Sequence, residues 1–219
     1  MRLDTQTQSL IVSAKLNNEE ALNKLFAKHQ SKILRIVRFR LSQGMRQKLK
    51  LQSMDIVQEV FMYALRHLKD FEPKSQGHFL NWLGKKVYHY ICDRLDYVSR
   101  IKRKAPGGEV SIDEKFTPTD ETNQIQMQIK DDGPNPGQSA VIKERDQLID
   151  SLMDLLEPEQ RELIINRNLE ELTFKEIGEI HEKSEDAARK QYCRAFKKLI
   201  DLSEDKLMPI IIEESYKHL

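Results

Sequence analysis

The residues best suited to a chemical role in this sequence are the cations of segment 175–199, KEIGEIHEKSEDAARKQYCRAFKKL. The second half of this segment contains two acids, Glu185 and Asp186, and five cations: Arg189, Lys190, Arg194, Lys197 and Lys198. Lys and Arg bind phosphate oxygens, and Arg also contacts base edges in the DNA major groove. The segment therefore points to a nucleic-acid-binding helix, although a solvated helix face would have a similar composition.

Local signals divide this segment into two helices that meet near Ser184. Thr173 and Glu176 have the spacing of a capping box at the start of the first helix, and Ser184 is expected to cap the second. On the second helix an apolar stripe is expected to be buried, formed by Ala188, Tyr192, Ala195, Phe196 and Leu199. With a tight turn at 181–183 and small Gly178 near the crossing, the pattern predicts a DNA-binding helix-turn-helix.

The remaining apolar residues also recur at helical spacing. One or two helices are predicted over 9–41, a further helix over 55–71, and a third that begins after a break at 73–77 and ends in a basic tail at 104. Phe79 and Trp82 are expected in the core, and Pro158 in the first turn of a later helix. No segment shows convincing strand-like alternation, so the predicted fold class is all-α.

Charge is sorted into blocks, although the formal net charge is only +1. Residues 28–50 contain eight Lys or Arg and no acid, and residues 85–104 contain seven cations against two acids. Residues 105–142 reverse the sign, with seven acids against two lysines. The blocks indicate polyanion-binding faces joined by an acidic connector, or alternatively a set of solvated helix faces.

A stretch rich in Pro, Gly and acidic residues divides the chain. The segment 105–142 holds four prolines and four glycines and is expected to be a flexible linker. The predicted organisation is a helical domain at 1–104, the linker at 105–142, a helix-turn-helix domain at 143–205 and a tail at 206–219.

Several functional classes are not supported by the residues. No apolar run approaches the roughly 18 residues of a membrane span, and the start lacks a signal-peptide core, so no membrane insertion and a cytoplasmic location are expected. Cys92 and Cys193 are expected to be buried or half-buried apolar residues rather than a disulfide or metal ligands. With no phosphate loop and no catalytic motif, we expect no enzyme, no metal and no cofactor.

Two blocks of the sequence resemble a known family. DIVQEVFMYALRHLKDF with FLNWLGKKVYHYICDRLDY resembles the first conserved domain of bacterial RNA polymerase sigma factors. LLEPEQRELIINRNLEELTFKEIGEIHEKSEDAARKQYCRAFKKL resembles their promoter-binding helix-turn-helix domain. Two such domains across an acidic linker, over residues 9 to about 202, resemble the compact extracytoplasmic-function (ECF) group.

The resemblance implies a function and a set of site residues. A sigma factor directs core polymerase to specific promoters and aids promoter opening. Binding to the clamp helices of the polymerase large subunit is implied for Asp55, Gln58, Glu59 and Met62. Recognition of the promoter −10 element, with one base captured outside the stack, is implied for Tyr88, His89, Tyr90, Asp93, Arg94, Arg100, Lys102 and Arg103, the first three placed where a loop joins a helix. Recognition of the −35 element is implied for Arg167, Thr173, Ser184, Glu185, Asp186, Arg189, Lys190 and Arg194, with Arg167 and Thr173 near phosphates.

Departures and alternatives accompany the resemblance. His89 stands where the family often has Asn, which leaves the −10 base preference open, and residues 181–183 depart from the usual turn sequence. The linker is expected to thread the polymerase RNA path, and an anti-sigma protein is a further partner that the family allows. A free-standing helix-turn-helix regulator that never binds polymerase is the main alternative, and a helical adaptor that binds only protein is a third.

Overall fold

The computed structural model describes residues 5–49, 51–72, 77–104 and 146–216. Every regular element in these ranges is a helix, which confirms the predicted all-α class. The first part contains α1 Thr5–Lys15, α2 Glu19–Arg40, α3 Gln43–Leu49, α4 Ser53–His67, a 3-10 turn Leu68–Asp70 and α5 His78–Lys104. The second contains α6 at 146–154, α7 Pro158–Ile164, a π-helical turn Ile165–Leu169, α8 Phe174–Ile180 and α9 Glu185–Tyr216. The predicted linker, 105–142, lies outside the described residues.

The helical pattern predicted over 9–41 is formed by two helices, because two asparagines interrupt it. Asn17 has a φ of 62°, a left-handed conformation that Asn tolerates better than most residues. The Asn18 side chain then accepts a hydrogen bond from the Ala21 N–H at 3.0 Å and caps α2. The apolar residue before this break, Leu16, is largely exposed.

The first module, residues 5–104, packs α2, α4 and α5 around an aromatic core. The rings of Phe26 and Phe61 stack at 4.5 Å, and those of Phe71 and Trp82 at 4.7 Å. Phe79 is buried and Trp82 is half-buried against the core, as predicted. This packing fixes the exposed faces of α4 and α5 relative to each other.

The second module, residues 146–216, has a much smaller core of its own. Within the helix-turn-helix this core consists of Leu163, Leu172, Ile177 and Ala188, with Phe174 packed on it. Pro158 occupies the first turn of α7, as predicted, where its missing N–H leaves no helical bond unmade. The backbone of α9 stays helical to Tyr216, well into the segment predicted as a tail.

The two modules share one hydrophobic core in this structure. Apolar side chains of the second module belong to the same buried cluster as α2, α4 and α5, namely Met153, Leu156, Ile164, Ile165, Leu169 and Ala195. Two separate domains were expected from the sequence. The division of the chain at 105–142 stays a prediction, and the described residues on its two sides are in direct contact.

The described helices also bear on membrane insertion, metal binding and the two cysteines. Within the described ranges, no helix combines the length and apolar character needed to cross a membrane. In those ranges no three His, Cys, Asp or Glu side chains converge in a metal-binding arrangement. Cys92 is half-buried, as expected, but Cys193 is exposed on α9, so the expectation of a buried or half-buried residue was wrong there.

A candidate nucleic-acid interface

The start of α8 is fixed by a complete capping box. The Thr173 hydroxyl accepts a hydrogen bond from the Glu176 N–H at 3.2 Å, and the Glu176 carboxylate accepts one from the Thr173 N–H at 2.8 Å. The predicted box is therefore confirmed. The Thr173 hydroxyl also donates to Glu176. The hydroxyl and the N–H of Thr173, which the resemblance places near phosphates, are therefore both engaged within the helix.

The turn between α8 and α9 depends on close backbone packing. The Lys183 N–H donates to the Gly178 carbonyl at 2.8 Å, and a Cβ on Gly178 would lie 2.6 Å from the Lys183 carbonyl oxygen. Glu182 supplies the left-handed residue of the turn, with a φ of 54°. Ser184 then caps α9 by accepting from the Ala187 N–H at 3.2 Å, as predicted. The departure of 181–183 from the family pattern thus still permits a tight turn.

The N-terminal turns of α9 present charged side chains to solvent. Arg189 pairs with Glu185 at 2.9 Å and Lys190 with Asp186 at 2.8 Å, both one helical turn apart. The hydrogen bond from Lys190 lowers the pKa of Asp186. Because Arg189 is 55% exposed, its ion pair contributes little to stability and is easily exchanged for a phosphate or a base edge. Arg194 is also exposed, further along the helix.

An aromatic ring that the sequence did not single out lies between two candidate DNA-binding cations. The guanidinium carbons of Arg167 and Arg189 lie 4.8 and 5.4 Å from the centre of the Phe174 ring. Arg167 also donates to the Leu172 carbonyl at 2.8 Å. Cation–π contacts of this kind limit the rotamers of both arginines. Phe174 follows the Thr173 cap directly, and its aromatic type was the available signal.

The apolar stripe of α9 is only partly buried. Ala188 and Ala195 are fully buried, and Tyr192 and Leu199 are half-buried. Phe196 was expected among them but is exposed, with its ring 5.8 Å from that of Tyr192. This flank of α9 is therefore open to solvent.

The side chains assigned to polymerase binding lie on one exposed side of α4. Asp55 and Gln58 are exposed, and Glu59 and Met62 are half-buried. Asp55 also accepts a hydrogen bond from the Gln52 N–H at 3.2 Å, which fixes the start of the helix. The arrangement is an acidic surface with a partly accessible apolar residue, Met62, at its C-terminal end.

The side chains assigned to the −10 element lie along α5 rather than at a junction. The helix is continuous from His78 to Lys104, as its periodicity predicted. The placement of Tyr88, His89 and Tyr90 where a loop joins a helix, which the resemblance implied, was therefore wrong. Tyr88 is 51% exposed, and His89, Asp93 and Arg100 are also exposed. The side chains of Lys102 and Arg103 lie outside the described residues.

Two members of the −10 set are more enclosed than a DNA contact requires. Arg94 is only 8% exposed, with its guanidinium 6.0 Å from the centre of the Tyr97 ring. It was expected to present its charge on the surface, and it does not. Tyr90 is half-buried, and burial raises the pKa of its hydroxyl. Arg94 opposes this effect on the Tyr90 pKa, while Glu59 and Asp55 add to it. The α4 and α5 surfaces are therefore electrostatically connected.

Comparison with known proteins agrees with this geometry. Residues 146–199 match the family model of Sigma-70, region 4, which covers about a quarter of the chain. No curated protein sequence matches the chain. A solved structure of CnrH in complex with the cytosolic domain of CnrY has a similar fold, with a TM-score of 0.54 and 18% sequence identity. That similarity covers 92% of this chain and 99% of CnrH.

The all-α fold and the capped helix pair define a helix-turn-helix DNA-binding protein. The match identifies residues 146–199 as similar to Sigma-70 region 4, and the fold of most of the chain is similar to that of CnrH. Both findings agree with the predicted resemblance to bacterial RNA polymerase sigma factors of the ECF group.

Proposed function

We propose that this protein is an RNA polymerase sigma factor of the ECF group, which directs core polymerase to specific promoters and aids promoter opening. We propose that it contacts the −35 element with the N-terminal turns of α9, the −10 element with α5, and the clamp helices of core polymerase with α4. The exposed charged surface at the start of α9, held by the Ser184 cap and the 181–183 turn, is the observation that carries the proposal. The first turns of the second helix in this motif are the part that enters the major groove. The remaining assignments depend on the surfaces of the first module.

At the −35 element, Arg189 is the proposed main base-contacting residue. Phe174 and Glu185 orient its guanidinium, while its exposure leaves it accessible. Arg194 and Lys190 are proposed to neutralise phosphates, and Arg167 to act near a phosphate from its position against the Phe174 ring. A bidentate Arg–guanine contact is worth roughly 1–3 kcal/mol of discrimination, or about 5- to 150-fold in affinity.

On the first module, the acidic α4 surface and the exposed α5 surface have separate proposed partners. Asp55, Gln58, Glu59 and Met62 suit a helical partner with basic groups around an apolar contact. Tyr88 and His89 are accessible rings that can stack on an unpaired base, with Arg100 near the backbone. The partner set thus comprises polymerase and promoter DNA.

A protein inhibitor is a further proposed partner. The solved structure with a similar fold contains CnrH together with the cytosolic domain of CnrY. The α9 flank, with exposed Phe196 stacked on half-buried Tyr192, and the α4 surface offer accessible apolar side chains to such a protein.

Promoter-directed transcription with purified core polymerase tests the proposal. Arg189→Ala is expected to reduce specific transcripts about 5- to 100-fold. Lys24→Ala is the matched control, because Lys24 is also exposed and also pairs with a glutamate one turn away, but on α2. Equal losses in the two variants, or no loss in either, would contradict the assignment of Arg189.

Polymerase binding is tested separately from DNA binding. Glu59→Lys is expected to abolish co-purification with core polymerase, and Glu72→Lys, an exposed acid after the 3-10 turn, is the control. If Glu59→Lys keeps full activity and the chain regulates a promoter without binding polymerase, the free-standing regulator is the better account. If a variant with alanine at Arg189, Lys190 and Arg194 keeps full activity, the helical adaptor that binds only protein is the better account.

A further inference from the structure

The basic run of α2 meets an acidic face of the second module. Lys32 pairs with Glu171, Arg35 with Asp146 at 3.4 Å, and Arg38 with Asp150 at 2.7 Å. These three pairs lie at the rim, where at least one partner is partly exposed. The fourth cation of the row, Arg40, lies at the centre of the contact.

Arg40 forms a buried charge network that needs both modules. It pairs with Glu162 at 2.7 Å and Glu170 at 2.9 Å, and it donates to the Gly84 carbonyl of α5 at 2.7 Å. The side chains of Arg40 and Glu170 are only 6% and 1% exposed. Burial alone would lower the pKa of Arg40, but Glu170 and Glu162 outweigh burial and raise that pKa. The arginine is therefore charged and held by carboxylates from the other module.

Two asparagines complete the coordination of Glu170. Asn81 of the first module donates to its second carboxylate oxygen at 2.9 Å, and Asn166 of the second module donates to the same oxygen at 3.0 Å. The ion pair with Arg40 and the two amide donors offset part of the cost of removing this carboxylate from water. Separation of the modules would remove both the arginine and one of the amides.

Two glycines allow the modules to approach this closely. A Cβ on Gly84 would lie 2.0 Å from a Glu170 carboxylate oxygen, and a Cβ on Gly77 would lie 2.1 Å from the Glu170 carbonyl oxygen. Gly84 lies inside α5, where glycine is less favourable than alanine. The contact with Glu170 supplies a reason for glycine at a position where the helix alone would favour another residue.

We propose that the α2–α5 surface around Arg40, Gly77 and Gly84 is an intramolecular docking site for the acidic face of the second module, and that it holds the free sigma factor closed. The docking site itself does not depend on the proposed function. Its inhibitory consequence does, because that consequence assumes that the two modules bind the −10 and −35 elements.

The distance between the two promoter elements requires the closed form to open. Their designations place them about 25 base pairs apart, or about 85 Å at about 3.4 Å per base pair. A compact body of roughly 170 residues has a radius of gyration of about 15 Å and a diameter of about 40 Å. The closed form is therefore about half as wide as needed to contact both elements together.

Small-angle X-ray scattering of the full chain tests the docking site. The wild type is expected to have a radius of gyration near 17 Å, and Gly84→Leu is expected to raise it by about 10 Å as the modules separate on their tether. Gly44→Leu is the matched control, because a Cβ at that α3 position meets nothing within 4 Å. Gly77→Ala is a second variant, directed at the Glu170 backbone rather than its side chain.

Each outcome of this measurement decides the proposal. An extended wild type, or compact Gly84→Leu and Gly77→Ala variants with wild-type helix content by circular dichroism, overturns the docking site. Should Gly84→Leu lose helix content, Gly77→Ala decides the matter. A compact wild type with one or both folded variants extended supports it.

Transcription with core polymerase then tests the inhibitory consequence. The open variants are expected to reach half-maximal promoter-directed transcription at about tenfold lower concentration than the wild type, which corresponds to one open chain in about ten. An unchanged concentration overturns inhibition by closure. If no variant and no wild type directs transcription while scattering still shows closure and opening, the proposed function fails and the docking site stands.

Discussion

Replacement of Arg40 by methionine tests the coupling between the two modules. Arg40→Met keeps most of the side-chain volume but removes the charge that pairs with Glu162 and Glu170. Glu162 is 26% exposed and can regain water, whereas Glu170 is enclosed and keeps only its asparagine donors. Removal of one partner of a buried pair costs about 3–5 kcal/mol.

That cost is expected to fall on the contact between the modules rather than on each module. Separation of the modules returns Glu170 to water, so the variant can relieve the cost by opening. The wild type, with one continuous core, is expected to unfold in urea in a single transition. In Arg40→Met, the transition seen by Trp82 fluorescence, which reports the first module alone, is expected to separate from that seen by far-ultraviolet circular dichroism.

The variant Glu170→Gln, alone and combined with Arg40→Met, tests whether the buried charge network couples the two modules. Glu170→Gln alone leaves Arg40 with Glu162, and we expect it to cost about 1–2 kcal/mol. In the double variant the enclosed carboxylate is gone, so the two probes are expected to coincide again, with a favourable coupling of about 1–3 kcal/mol. Strictly additive effects, or coincident probes in Arg40→Met with an unchanged midpoint, would refute the role of the buried pair.

Three further predictions concern the turn and the rim of the contact. Gly178→Ala places a Cβ 2.6 Å from a backbone oxygen, so it is expected to lower stability by about 1–3 kcal/mol and to weaken promoter binding, and a wild-type thermal midpoint would contradict the packing. Glu182 has a left-handed backbone conformation, so Glu182→Gly is expected to leave stability unchanged or to raise it by up to about 1 kcal/mol. Glu182→Val is expected to lower stability by about 1–2 kcal/mol. Equal thermal midpoints for the two variants would argue against the left-handed conformation. Burial raises the pKa of Asp150 above its ordinary 3.8 although Arg38 opposes the shift, so the stability that this group contributes is present below pH 3.8 and is lost as the pH rises through the raised pKa. Asp150→Asn is therefore expected to match or exceed the wild-type urea midpoint at neutral pH, with the advantage lost on acidification, and a lower midpoint at neutral pH would contradict the shift.

Features set by a few neighbouring residues could be predicted from the sequence. The Thr173–Glu176 box, the Ser184 cap and Pro158 in the first turn of α7 each depend on residues within one helical turn, and the structure contains all three. The charged face of α9 follows from the same local periodicity. These elements were enough to indicate a helix-turn-helix.

Features set by distant residues could not be predicted in the same way. The burial of Arg94 depends on how α5 packs within its module, and the exposure of Phe196 depends on which helices reach α9. Phe174 acquires its role only because Arg167 and Arg189 reach it from two different elements. A single sequence does not show which residues of different helices are in contact, so each residue could be assigned only from the pattern of its own helix.

The basic run at residues 28–50 shows how charge segregation can serve the interior of a protein. It was expected to be a polyanion-binding or solvated face, yet four of its eight cations pair with acids of the second module. An interface of this kind differs physically from a purely apolar one, because separation returns its charges to water and recovers much of the desolvation cost. The rim pairs also weaken as salt shortens the range of their attraction. A contact that combines a shared apolar core with such charges is specific in register yet readily reversed, which is what a protein needs if its two modules must part to reach elements about 85 Å apart.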